Sequence, residues 1–261
     1  RIKLMAGDVN KVQPGMDMDG MGKMSISRTR ALAAQEPEVT EKAFDEYHLY
    51  TLERPSSLRD RETKQVEFVR AGNISSETIY VYDGLSMDMR QWRGADARYR
   101  RTNDEFGTQS QTKVAVMREF KNTAKNGLGI PLPAGRVRFY REDGKQIEFT
   151  GENLIDHTPK DETVRLYTGD AFDLVGERKR THFRVDSSNN WADESFEIKL
   201  RNRKTEPVTI RVVEHLYRWN NWEITEKNTP YQKLNADEIE FRVELKADEE
   251  RKITYTVHYS W

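Results

Sequence analysis

Apolar and polar residues alternate with a period of two along much of the chain, which is the pattern of strands with one face in water. No segment carries the 3.6-residue period of a helix longer than about two turns. The alternating segments are residues 47–52, 64–69, 78–82, 113–120, 136–140, 146–149, 163–167, 173–184, 195–200, 208–216, 222–225, 239–245 and 252–259. We therefore predict an all-β protein built from antiparallel β-sandwiches.

One hairpin is predicted from local sequence alone. Glu142-Asp143-Gly144-Lys145 separates two alternating segments, and an Asp-Gly pair suits a type I′ turn because both residues tolerate positive φ. We expect residues 136–149 to form two adjacent antiparallel strands.

The order of these patterns predicts four regions. Residues 1–10 are expected to be a strand that completes an upstream β domain, because the chain starts in an alternating segment without an initiator Met or a signal peptide. A loop or arm follows at 11–44, then a β-sandwich region at 45–185 with an arginine-rich insertion at 86–112, and an immunoglobulin-like β region at 191–261. The polar run at 186–190 is either a linker between domains or one hairpin loop.

Composition narrows the classes of function. Charged residues make up 33% of the chain and hydrophobic residues 36%, and the net charge is −1, so no global field draws the protein to nucleic acid or anionic lipid. The absence of cysteine excludes disulfides and thiolate metal sites, and no apolar run is long enough for a transmembrane helix. Neither a phosphate-binding loop nor a dinucleotide fingerprint is present, so we expect no cofactor.

The best ligand-like patch in the sequence combines aromatic rings with amides. It consists of Tyr217, Trp219, Asn220 and Trp222. Flat rings beside amide donors and acceptors suit sugars or peptides, but alternating aromatics around a turn also serve to cover the core of a sandwich. Arg98, Arg100 and Arg101, near Trp92 and Tyr99, could likewise bind phosphates or form a solvated interface loop.

Two further clusters could bind metal. His157 and Asp161 lie in a polar segment whose imidazole and carboxylates could hold a metal ion or act as acid and base, although a tight turn fixed by Pro159 explains the same residues. Met16, Met18, Met21 and Met24 offer thioethers for Cu(I), or flexible packing groups for an assembly arm.

Several short segments resemble an exported bacterial family known only as a domain of unknown function (four-one-three-nine), some relatives of which are described as mucoidy-inhibitor-like. These segments are residues 2–10, 47–52, 127–135, 155–162, 171–178 and 214–216. The resemblance runs along the whole chain and implies a secreted or periplasmic β protein, of which this chain is the C-terminal part. No activity is established for the family, so it implies no catalytic residues.

The leading hypothesis is a non-catalytic, exported β-sandwich protein that acts through its surfaces, in self-assembly or in binding a partner. One alternative is a carbohydrate-binding module for cell-surface polysaccharide. The other is a metal-dependent hydrolase built around His157.

Overall fold

The structure is a computed structural model that describes residues 3–6, 39–44, 47–52, 57, 59–63, 71–87 and 96–261. Its strands are β1 Lys3–Ala6, β2 Val39–Phe44, β3 Tyr47–Leu52, β4 Glu77–Asp83, β5 Lys113–Lys121, β6 Gly135–Asp143, β7 Gln146–Ile155, β8 Thr163–Asp186, β9 Trp191–Asn202, β10 Val208–His215, β11 Trp222–Lys227, β12 Tyr231–Lys233, β13 Glu238–Leu245 and β14 Glu250–Ser260. One short α-helix, α1, spans Ala97–Thr102, and a 3₁₀ turn spans Ala124–Asn126. The predicted all-β class is confirmed.

The chain divides into two compact units. The first comprises Arg1–Ser75, Lys121–Arg136 and Leu154–Val164, and the second comprises Ser76–Phe120, Val137–Asn153 and Arg165–Trp261. Because segments from three parts of the chain contribute to each unit, the units do not correspond to the consecutive regions that the order of the alternating segments predicts.

A nine-stranded sheet dominates the second unit, in the order β11-β14-β9-β8-β5-β4-β10-β13-β12. Neighbours pair antiparallel wherever the register is defined, except that β4 runs parallel to β10, with Val81 beside Arg211. The sheet is therefore mixed rather than purely antiparallel as predicted. Alternation alone could not reveal this, because the same period of two describes both kinds of pairing.

The two ends of this sheet face each other across one core. Phe241 on β13 lies 5.6 Å from Tyr255 on β14, ring centre to ring centre, and Tyr255 stacks on Phe196 of the neighbouring β9 at 5.3 Å. Burial alternates along β9 and β10 as it does in sandwich strands with one dry face. Each fully buried aliphatic side chain, such as Ile198 or Ile210, contributes about 1.5–3 kcal/mol.

The first unit contains a three-stranded sheet in the order β1-β3-β2 and a polar hub at Asn122. Asn122 is fully buried, and its side-chain amide donates to the carbonyl oxygens of Ile130 at 2.7 Å and Pro159 at 2.8 Å while its Oδ1 accepts from Gly129 N at 3.1 Å. These bonds fasten segments 121–136 and 154–164 together. Tyr50 is buried in the same unit and donates to the Pro131 carbonyl at 2.9 Å.

Several boundaries differ from the predictions. β1 forms, and its partner in the structure is β3 of the same chain; pairing with an upstream domain stays a prediction. Residues 39–44 form β2, inside the region predicted as a loop or arm. The polar run after Asp186 is the turn of the β8–β9 hairpin, since Asp186 pairs directly with Trp191. Of the two predicted alternatives, a linker or a hairpin loop, it is therefore the hairpin loop.

The predicted hairpin forms, with a different turn. β6 ends at Asp143 and β7 begins at Gln146, so Gly144 and Lys145 are the central residues. Only Gly144 has positive φ, at +62°, which is the pattern of a type II′ turn rather than type I′.

Candidate functional site

Two arginines, Arg218 and Arg178, are buried in the second unit, and each forms hydrogen bonds and an ion pair there. Arg218 is 2% exposed and reaches the last turn of α1 and the segment after it, where its guanidinium donates to the carbonyls of Arg100 at 2.6 Å, Asn103 at 2.9 Å and Phe106 at 3.0 Å. A helix leaves its last carbonyls without partners, and here a buried cation satisfies them. Glu194 on β9 balances this charge, with Oε1 at 2.6 Å from Arg218 Nη2.

The second arginine, Arg178 on β8, forms a network with β10 and β14. Its Nε donates to both carboxylate oxygens of Glu214, at 3.0 and 2.9 Å, and its Nη1 donates to the Gly107 carbonyl at 2.8 Å. Glu214 also accepts from the Tyr255 hydroxyl. Burial lowers the pKa of Arg178, but the adjacent Glu214 charge outweighs this effect and raises it overall, whereas burial and Glu214 together hold the pKa of Tyr255 well above its usual value.

His215 lies beside this network, between carboxylates from two other strands. Its Nε2 is 3.0 Å from Asp83 on β4, and its Nδ1 is 3.0 Å from Glu238 on β13. Burial lowers the pKa of His215, but the hydrogen bond to Asp83 and the surrounding negative charges raise it overall. Tyr217 stacks on the imidazole at 4.8 Å, and burial followed by the Glu238 charge raises the pKa of Tyr217 to about 12.

These ionisable groups are engaged with one another, and the cavity beside them is small. The space next to Arg178, Arg218 and Tyr259 encloses about 10 Å³, roughly what one water molecule needs. A substrate does not fit there. The network therefore fastens segment 96–111 to the sandwich.

The sequence contains a signal for this network that the alternating pattern alone does not reveal. Glu194 and Glu214 occupy inward positions in phase with the apolar residues of their strands: Glu194 precedes Phe196 by two residues, and Glu214 follows Val212 by two. A carboxylate at a core position needs a buried cation. That requirement points to arginines elsewhere in the chain.

The predicted aromatic patch is dispersed among different partners. The Tyr217 hydroxyl lies 2.7 Å from His215 Nδ1, and the Trp222 indole donates to the Ala236 carbonyl at 2.9 Å. Trp219 and Trp222 pack partly against the core, and of the four predicted residues only Asn220 is exposed. The aromatic side chains of the patch therefore mainly contact other residues of the protein.

One member of the patch does meet the arginine-rich insertion. The Arg101 guanidinium lies 4.2 Å from the Trp219 ring centre and 5.2 Å from that of Trp261. Arg101 also borders an open cleft of about 240 Å³, which we call the arginine cleft. The arginine cleft is lined by Arg98, Arg101, Thr102, Ser187, Asn190 and Trp261.

A second surface feature is the β6–β7 ribbon, residues 137–153, a two-stranded sheet of its own. Most of its side chains are exposed, including three large apolar ones: Tyr140 at 58%, Ile147 at 67% and Phe149 at 56%. Tyr140 and Phe149 meet edge to face at 5.7 Å, so they share a face, and Ile147 shares it because it is two residues from Phe149. An isolated two-stranded ribbon is only marginally stable in water.

The metal candidates do not converge. Among the residues that the structure describes, no three His, Cys, Asp or Glu side chains gather as a metal site requires. His157 is exposed and its Nδ1 accepts from Ala134 N at 3.2 Å, while Asp161 sits in a turn with φ +67°. Met16, Met18, Met21 and Met24, as well as Trp92, lie outside the described residues.

No known protein family, no curated protein and no solved structure matches the chain. The likeness to the exported family of unknown function therefore stays a prediction. No helix in the described part of the chain has the length and apolar character needed to cross a membrane.

Proposed function

We propose that this is a non-catalytic, exported β-sandwich protein that acts through surfaces, and that the β6–β7 ribbon pairs with the same ribbon of a second copy. The observation that carries the proposal is the exposure of Tyr140, Ile147 and Phe149 on one face of a two-stranded sheet. Contiguous apolar groups on an exposed strand mark interaction sites, and a free sheet edge is a template for another strand.

The outer edge of β6 is the pairing surface. The base of the ribbon is fastened on the β7 side, where the Asn153 amide donates to the Tyr167 carbonyl at 3.1 Å. In a two-residue hairpin, Asp143 pairs with Gln146, so the backbone groups of Tyr140 point away from β7. They are therefore oriented to bond a neighbouring chain.

The residues of β6 favour a second copy of the same strand as the partner. Arg138, Tyr140 and Glu142 share one face at a spacing of two. If two copies of β6 align antiparallel about Tyr140, each Tyr140 faces its counterpart and each Arg138 faces Glu142 of the other copy. Such a symmetric pair is closed, so it forms a dimer rather than a fibre.

The test uses the absence of cysteine from the natural chain. Tyr140→Cys places two sulfur atoms opposite each other across the pair, at a Cα separation of about 5.5 Å that suits a disulfide. We expect this variant to form a covalent dimer under mild oxidation, at micromolar concentration. The matched variant Arg141→Cys, on the other face of the strand, should form far less, because residue 141 faces residue 139 in this register.

A charge exchange gives an independent test of the register. Arg138→Glu or Glu142→Arg alone puts like charges opposite each other and should weaken association about tenfold, since two cross-strand pairs change at once. Arg138 also pairs with Glu152 of its own copy at 3.4 Å, so the double exchange should restore association in a Glu152→Gln background. Equal cross-linking of the two cysteine variants, or no recovery in the double exchange, contradicts the proposed pairing.

A further inference from the structure

We propose that the arginine cleft binds a carboxylated sugar ring, and so recognises an acidic polysaccharide. This goes beyond the proposed self-association, since it concerns different residues and another class of ligand. The lining holds two arginines and no Asp or Glu side chain. Within the described part of the chain, no carboxylate oxygen lies within 4.0 Å of a side-chain nitrogen of Arg98 or Arg101, so their charges are not neutralised by ion pairs.

Contacts within the protein fix the side chain of Arg101 in a position from which it can bind such a ligand. Its guanidinium stacks near the rings of Trp219 and Trp261, and its Nε donates to the Ala97 carbonyl at 3.1 Å. The two terminal nitrogens have no hydrogen-bond partner among the described residues. An arginine fixed in this way loses little side-chain freedom on binding, and its planar fork matches a carboxylate in a bidentate manner.

The other lining groups suit a sugar ring. Trp261 offers an indole against which the C–H groups of a pyranose can pack, while the exposed Ser187 hydroxyl and Asn190 amide can bond sugar hydroxyls. Asn190 is held by the hairpin turn, where its carbonyl accepts from Trp261 N at 2.9 Å. The volume of about 240 Å³ is below the range of drug-sized pockets, which fits a single ring.

Nucleic acid fits these observations less well than an acidic sugar. A single-stranded chain needs a basic groove with a series of rings on which successive bases stack. The arginine cleft has one lining ring, and the protein carries a net charge of −1. One ring, two cations and three neutral polar groups describe a site for one sugar residue of a longer chain.

The test is isothermal titration calorimetry of the full chain with an oligogalacturonate and with its neutral methyl ester. We expect binding of the free acid only, weakened about tenfold or more by Arg101→Gln or Arg98→Gln, because each change removes a charge-assisted contact. The exposed Arg203→Gln serves as the matched control and should bind like the natural chain. Arg98 is exposed and outside the core, so its replacement keeps the fold.

Three outcomes would overturn the proposal. They are equal binding of the acid and its ester, unchanged binding in both cleft variants, and tighter binding of a sulfated sugar or a DNA oligonucleotide that the acid cannot displace. Tyr140→Pro, which blocks the proposed ribbon pairing, should leave sugar binding intact. A failure of the sugar-binding proposal can therefore be distinguished from a failure of the self-association proposal.

Discussion

Replacing Glu214 by Gln tests whether the buried network is electrostatic in nature. Gln has nearly the same shape and keeps an acceptor for Tyr255, but it removes the negative charge opposite Arg178. The side chains of Arg178 and Glu214 are 2% and 0% exposed, so water cannot take over the role of the lost carboxylate. The variant leaves a buried guanidinium without a counter-charge.

The expected cost follows from this burial. Breaking a buried pair by removing one charge destabilises a protein by about 3–5 kcal/mol. For a chain of this size each kcal/mol lowers Tm by roughly 2–4 °C, so we expect a fall of about 6–20 °C. Removing both charges together, as in Arg178→Met with Glu214→Leu, should cost less than Glu214→Gln alone, because no unpaired charge remains.

The assay is urea unfolding followed by tryptophan fluorescence, with calorimetry for Tm. Asp248→Asn is the matched control: it breaks the exposed Arg203–Asp248 pair of 2.7 Å, and Asn tolerates the φ of +53° at this position. We expect the control to lose less than about 1 kcal/mol. If Glu214→Gln loses no more than the control, the electrostatic account of the network is refuted.

Three further changes probe other parts of the fold. Gly176→Ala should destabilise the protein by about 1–3 kcal/mol, because the added Cβ would collide with the buried Tyr82 ring. Urea unfolding should show a smaller loss of stability when the same change is made in a Tyr82→Leu background. His215→Gln should lower the free energy of unfolding most below about pH 6.5, where the unfolded imidazole is also protonated. The difference in stability from the natural chain should shrink as the pH rises through the raised pKa of the folded protein. A difference in stability that grows with pH refutes this. Asn122→Ala should cost at least about 2 kcal/mol and speed amide hydrogen exchange in segments 121–136 and 154–164, whereas unchanged exchange would contradict its role as a hub.

Alternation predicted the strands well wherever one face of a strand is dry. β3 has the predicted bounds, and the bounds of β4, β5, β9 and β13 differ from the predicted ones by at most four residues. The pattern failed where the environment changes along a strand. β8 runs without interruption over Thr163–Asp186, although its polar middle separates two predicted strands, because its N-terminal part pairs with β5 and its C-terminal part pairs with β9.

The candidate sites are less predictable from the sequence than the strands are. Residue type drew attention to Trp219 and to the arginines of the insertion, but only the tertiary structure brings Arg101 onto Trp219 across more than a hundred residues of sequence. The same holds for Arg218, whose carbonyl partners lie in segment 100–106. Contacts of this range depend on sheet order, which alternation does not encode.

Self-association through β6 can be tested by measuring the mass of the protein in solution. We would measure sedimentation equilibrium of the natural chain and of Tyr140→Pro, which removes an outward backbone donor that only the pairing needs. We expect a concentration-dependent dimer for the natural chain and a monomer of unchanged circular dichroism for the variant. A natural chain that stays monomeric at all concentrations, or a dimer that survives Tyr140→Pro, would contradict it.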